Sequence, residues 1–281
     1  MRKSLFCVLL LAAVAAIPSY AGEWSRTYKV GPHPSLRLDT NDGGISLVST
    51  GVPEIEARIL TEGWEIGSDV QVTESQSGSS IEIGIRVPNT NWQFFNIGRR
   101  SIRIELRVPR DSDLDLHTGD GSVNLEGVSG RIKADTGDGR ITARDLKGEV
   151  RLHTGDGRIE GDGFDGELNA DTGDGQILVR GRFDSLHLRT GDGSIEATAE
   201  PHSMFESDWS VHTGDGSILL RLPSDFSAEL DATTGDGRIR SDLPVTTSGS
   251  QGRRSLRGKI AGGGGLLQVH TGDGSITLER L

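Results

Sequence analysis

The chain has 281 residues with 40 glycines, 30 basic and 41 acidic side chains, for a formal charge of −11. An acidic surface repels phosphate backbones, which excludes nucleic acid as a partner and leaves divalent cations, basic proteins and neutral glycans open. The one cysteine, Cys7, excludes an internal disulfide and any multi-cysteine metal site.

The chain opens with Arg2 and Lys3, an apolar run from Leu5 to Ile17, and the small-residue series Pro18-Ser19-Tyr20-Ala21. Basic, apolar and small segments in that order predict a secretory signal peptide over residues 1–21. Its removal takes away Cys7 and two basic residues, leaving 28 basic against 41 acidic, or −13. No later stretch reaches the roughly 20 apolar residues of a spanning helix, so the mature chain is expected to lack a transmembrane segment. The expected locations are the periplasm, the cell surface or the extracellular space.

Residues 22–110 are expected to form an N-terminal β region containing an early rung and a cap. A degenerate turn, Thr40-Asn41-Asp42-Gly43-Gly44, is preceded by Leu36 and Leu38 and followed by Ile45 and Leu47. Apolar residues alternate through Ile81–Val87 and again through Ile102–Val108, the period of a strand with one face buried. Between these lie Trp92, Phe94 and Phe95 beside Arg99 and Arg100. The rings have two readings, a contact patch for a partner or a plug over the open end of a stacked core.

From residue 111 the tetrapeptide Thr-Gly-Asp-Gly begins at Thr118, Thr136, Thr154, Thr172, Thr190, Thr213, Thr234 and Thr271, and the first five copies are 18 residues apart. Five residues after each Thr stands a β-branched aliphatic: Val123, Ile141, Ile159, Ile177, Ile195, Ile218, Ile239 and Ile276. Pairs such as Leu114 with Leu116 and Val150 with Leu152 lie four and two residues before it. One such unit cannot bury its own apolar face, whereas units stacked in register make continuous aliphatic columns. The prediction is an all-β, single-chain β-solenoid, like a β-helix or β-roll, over 111–281, with 18-residue rungs of two strands each. An inserted, locally basic loop is expected near 245–265. The final rung, ending at Leu278-Glu279-Arg280-Leu281, is expected to leave an open edge that invites self-association.

The glycines on either side of each motif Asp predict backbone with positive φ, and the Asp suits a tight corner. Stacking also aligns Asp120, Asp138, Asp156, Asp174 and Asp192 in one column, so calcium is an alternative to plain corner chemistry. Neighbouring carboxylates ~4.8 Å apart repel by only about 0.9 kcal/mol at the dielectric of water, so the column stands without metal, and no cofactor is expected. A solvent-facing column just before each Thr reads His117, Asp135, His153, Asp171, Arg189, His212, Thr233 and His270, a mixed polar ladder. In sequence order its nearest histidines are two rungs apart, too far to share a transition metal.

No nucleophile elbow, zinc-protease motif or P-loop occurs, and Gly161-Asp162-Gly163-Phe164-Asp165-Gly166 matches a dinucleotide fingerprint in letters without the helix it requires. The expected protein is therefore not an enzyme, with no catalytic residue nominated. The enzymatic alternative is a carbohydrate-active parallel β-helix, a lyase or glycosidase working through paired carboxylates.

Repeated Thr-Gly-Asp-Gly turns after an Ile102-Arg103-Ile104-Glu105-Leu106-Arg107-Val108-Pro109 strand, closing on Gly262–Gly265 and Leu267-Gln268-Val269-His270-Thr271-Gly272-Asp273-Gly274, resemble the adhesin-like bacterial family known as domain of unknown function 4097. The resemblance covers most of residues 30–281. It implies a single-chain β-solenoid of the bacterial envelope that binds or scaffolds an unknown envelope or extracellular ligand, glycan or protein, and it carries no catalytic residues. A calcium-stabilised stalk is the remaining alternative.

Overall fold

A computed structural model describes residues 22–87, 100–205, 207–247 and 252–281. The N-terminal strands are β1 (Gly22–Lys29), β2 (Ser35–Thr40), β3 (Gly44–Thr50), β4 (Glu54–Glu62), β5 (Gln71–Ser77), β6 (Ser80–Arg86) and β7 (Ser101–Pro109). The central ones are β8 (Asp113–Thr118), β9 (Val123–Glu126), β10 (Ser129–Thr136), β11 (Ile141–Arg144), β12 (Lys147–Thr154), β13 (Ile159–Thr172), β14 (Ile177–Thr190) and β15 (Ile195–Ala199). The chain continues through β16 (Trp209–Thr213), β17 (Ile218–Leu222), β18 (Ala228–Thr234), β19 (Ile239–Ser241), β20 (Val245–Thr247), β21 (Ser255–Ile260), β22 (Leu266–Thr271) and β23 (Ile276–Arg280). The described residues contain no helix, and all of these strands join in one 23-stranded sheet.

Parallel pairing folds that sheet into two walls of a β-solenoid-like stack. The wall that holds the strands entering the Thr-Gly-Asp-Gly corners follows the spatial order β6, β2, β8, β10, β12, β13, β14, β16, β22, β18. The wall that holds those leaving them follows β7, β3, β9, β11, β13, β14, β15, β17, β23, β19. Ile132 sits on Val150 and Ile141 on Ile159, a sequence offset of 18 in both walls. The expected separation into two strands per repeat is not uniform. β13 and β14 each run for 14 residues, belong to both walls, and cross the second corner through register shifts near Gly161 and Gly166.

Inward-facing positions supply one core. Val123, Ile141, Ile159, Ile177 and Ile276 are completely buried, as alternation predicts for a wall with one dry face. Each such side chain contributes about 1.5–3 kcal/mol of burial. Toward the C-terminal half the second corner is filled by Phe164, Phe183, Trp209, Phe205 and Phe226, with successive ring centroids 5.0–6.3 Å apart. Trp209 is part of this core rather than a surface ring.

The order of stacking departs from the order of sequence at both ends. The β2–β3 rung lies between β6–β7 and β8–β9, and the last rung, β22–β23, is threaded between β16–β17 and β18–β19. The expected open edge at Leu278–Leu281 is thus corrected: β23 is paired on both sides, to β17 and to β19. Antiparallel strands close the ends. At one, β5 lies on β6, β4 on β7, and β1 on β4, with Arg26 donating to Glu74 at 3.3 Å, the Tyr28 hydroxyl donating to Glu74, and Gln76 donating to the Lys29 carbonyl at 3.0 Å. At the other, β21 pairs with β18 and β20. Residues 1–21 and the proposed patch at Trp92, Phe94 and Phe95 lie outside the described residues.

Candidate functional site on the outer face

The corner motif comes first because it sets the spacing of everything outside it. Each motif Thr is buried, with Thr118, Thr154, Thr213 and Thr271 fully so. The Thr154 hydroxyl donates to the Gly139 carbonyl of the rung below at 2.9 Å and accepts from the Gly157 amide of its own turn at 3.2 Å. The same bond recurs from Thr136 to Gly121, Thr172 to Gly157, Thr190 to Gly175 and Thr213 to Gly193, at 2.8–2.9 Å. A buried hydroxyl satisfied in both senses is a stapling element between successive rungs.

The glycines have a different reason from the one expected. None of the Thr-Gly-Asp-Gly glycines has positive φ; those values occur at the second corner, for example Gly148 at 98° and Gly163 at 74°. In the motif the constraint is close approach. A Cβ on Gly139 would overlap the Gly121 carbonyl oxygen, and one on Gly157 would overlap that of Gly139.

Asp120, Asp138, Asp156, Asp174 and Asp192 are exposed along one edge of the stack. Each leans toward the next rung, so that an added Cβ on Gly137 would meet Asp120 Oδ1 at 3.1 Å and one on Gly155 would meet Asp138 Oδ1 at 3.3 Å. Among the described residues no three His, Cys, Asp or Glu side chains are grouped to hold a metal ion. Arg158, directly after the third of these corners, pairs with Glu160 at 2.8 Å.

Outward positions of the entry wall carry the polar ladder. In its N-terminal half charges are paired across neighbouring strands, Arg86 with Asp39 at 2.9 Å and Arg131 with Asp113 at 2.6 Å, and His153 Nδ1 lies 3.2 Å from an Asp171 carboxylate oxygen. The Arg86 and Arg131 guanidinium groups hold the carboxyls of Asp39 and Asp113 below the ordinary carboxylate range. Lys147 and then Arg182 do the same for Asp165. A general acid needs the opposite displacement.

The ladder changes character where the last rung is inserted. In spatial order the column just before Thr reads Arg189, His212, His270, Thr233, so two histidines separated by Thr233 in sequence become neighbours. Their rings stack with centroids 4.9 Å apart and planes 12° from parallel. His270 Nδ1 is 2.9 Å from the Thr233 hydroxyl, and in the adjacent column His187 Nδ1 is 2.8 Å from the Ser210 hydroxyl. Partial burial, then the neighbouring His270 and Arg189, lower the pKa of His212, favouring the neutral ring. Ser210, His212, Thr233 and His270, with Gln268 and the Asp231–Arg257 pair (2.9 Å), line a shallow recess of about 250 Å³. The expectation that histidines of this column stay two rungs apart is therefore corrected. The two histidines sit in identical segments, Val-His-Thr-Gly-Asp-Gly-Ser-Ile at Val211–Ile218 and Val269–Ile276, but the sequence alone does not say that these two rungs are neighbours.

All-β walls, buried stapling threonines and a polar outer ladder define the chain as a stacked, β-solenoid-like protein. It belongs to the Toastrack DUF4097 family, whose model matches residues 56–279. Among solved structures, a putative lipid binding protein from Parabacteroides distasonis shares the fold at 14% identity and a TM-score of 0.50, with 92% of this chain and 97% of that one covered. A putative adhesin from Bacteroides fragilis matches at 12% identity and a TM-score of 0.43, covering 94% and 99%. A putative cell adhesion protein from Clostridium sporogenes matches at 11% identity and a TM-score of 0.29, covering 92% and 100%. No curated protein matches the chain.

Proposed function

We propose that this is an exported, non-enzymatic envelope protein that binds or scaffolds an extracellular or envelope ligand through the outer face of its stack. The signal-like segment at residues 1–21 supports export, and family membership supports an adhesin-like role. One observation carries the site: the ladder pairs its charges along its N-terminal half and becomes a recess of hydrogen-bonding groups at Ser210, His212, Thr233, Gln268 and His270. Hydroxyl, amide and imidazole groups offer both donors and acceptors, the complement of a hydroxyl-rich glycan.

The test is a binding screen of the purified chain against immobilised neutral and uronate-containing oligosaccharides, repeated with His212→Ala/His270→Ala. The expected result is saturable glycan binding that the double variant loses by about tenfold, equivalent to 1.4 kcal/mol. Turnover of any of these glycans would contradict the non-enzymatic reading, and binding indifferent to both substitutions would remove the recess from it.

A further inference from the structure

The C-terminal end of the stack carries a second surface, distinct from the histidine recess and independent of it. Arg238 immediately precedes β19 and Arg240 lies within it, on the last rung of the exit wall. The inserted loop returns over this rung as a tight turn in which the Gly252 amide donates to the Ser255 carbonyl at 3.2 Å. Two backbone bonds pin the turn in place. The Ile239 amide donates to the Arg253 carbonyl at 3.1 Å, and the Thr234 amide donates to the Arg254 carbonyl at 2.9 Å. Both loop arginines are thereby set beside the two from β19, around a recess of about 430 Å³ that Asp236 and Thr277 also line.

Charge makes this surface unusual. Four guanidinium groups face a single carboxylate, on a chain whose formal charge is −11. That carboxylate, Asp236, pairs among the described residues with Arg254 alone, at 3.4 Å and largely in water. Among the described residues Arg238, Arg240 and Arg253 form no ion pair, as is also true of Arg140 and Arg144, but these three line one recess; Arg131 and Arg221 are paired to carboxylates across neighbouring strands. Guanidinium forks are matched to tetrahedral oxyanions, which accept several N–H bonds at once, and they hold such groups better than ammonium groups do. The recess exceeds the volume of an isolated phosphate, leaving room for the group that the phosphate esterifies.

We infer that Arg238, Arg240, Arg253 and Arg254 form a binding site for a phosphate ester at the C-terminal tip of the stack. The phosphate sits among the three unpaired guanidinium groups, with the Thr277 hydroxyl as a further donor, and Arg254 exchanges its contact with Asp236 for the ligand. The site needs neither the histidine recess nor the glycan reading, so either can fail alone.

Calorimetric titration of the purified chain with glucose 1-phosphate, with glucose as control, tests it, alongside flotation with phosphatidylcholine vesicles with and without phosphatidylglycerol. The expected result is saturable binding of a phosphate-bearing probe and none of glucose or pure phosphatidylcholine, with affinity falling about tenfold or more in Arg238→Gln/Arg253→Gln. Arg240→Gln alone serves as a second variant should the double variant melt early, and the exposed Arg144→Gln on β11 should leave binding unchanged. Binding of the sugar phosphate places the phosphate on a soluble ester, and binding confined to the anionic vesicles places it in a lipid headgroup. Absence of saturable binding to either phosphate probe, or equal weakening by Arg144→Gln, would overturn the site.

Discussion

At the residue scale the repeated motif divides its work. The Thr hydroxyl staples one corner to the corner below, the glycines permit that approach, and the Asp remains on the exposed edge. Thr154→Val keeps the shape but leaves the Gly139 carbonyl and the Gly157 amide without their buried partner, so a loss of about 1–3 kcal/mol is expected. Urea unfolding would measure it, and a variant as stable as the wild type would show that the staple contributes nothing. The Thr and its flanking isoleucines were legible in the sequence because their period is regular. The reason for the glycines was not. Positive φ and close backbone approach select the same residue, and only stacking distinguishes them.

At the element scale, the seam between β16 and β22 is where chemistry and threading meet. His212 faces Arg189 on β14 and His270 on β22, and partial burial together with these neighbours disfavours its protonated form. A histidine whose folded pKa lies below its unfolded value of about 6.5 costs no stability above that pH. As pH falls below it, the unfolded chain takes up the proton first, and stability declines until the folded pKa has been passed. The expected outcome is a melting temperature that drops on acidification from pH 7 to pH 5, with a shallower drop in His212→Gln. Identical pH profiles for the two proteins would refute the assignment. The end caps belong to the same scale. Irregular hairpins gave no motif to read, although the alternation in Ile81–Val87 and Ile102–Val108 follows the half-buried pattern seen in β6 and β7.

For the whole molecule, the consequential feature is the position of the final rung between two rungs that precede it in the chain. Sequence periodicity shows that rungs stack but not in which order, since every rung presents nearly the same edge to its neighbour. The order decides whether His212 and His270 meet and whether the chain's last strand is an edge or an interior strand. A direct measurement uses paired cysteines on outward positions. Ser210 is in register with Gln268 across the inserted seam, and Gln268 separates it from Asp231. Neighbouring positions in parallel strands fall within the Cα range of a disulfide, whereas positions two strands apart do not. With Cys7 replaced, Ser210→Cys/Gln268→Cys should cross-link rapidly under mild oxidation in the folded protein, and Ser210→Cys/Asp231→Cys should not. Cross-linking of the second pair in place of the first would mean that the rungs stack in sequence order, and it would separate the two histidines on which the recess depends.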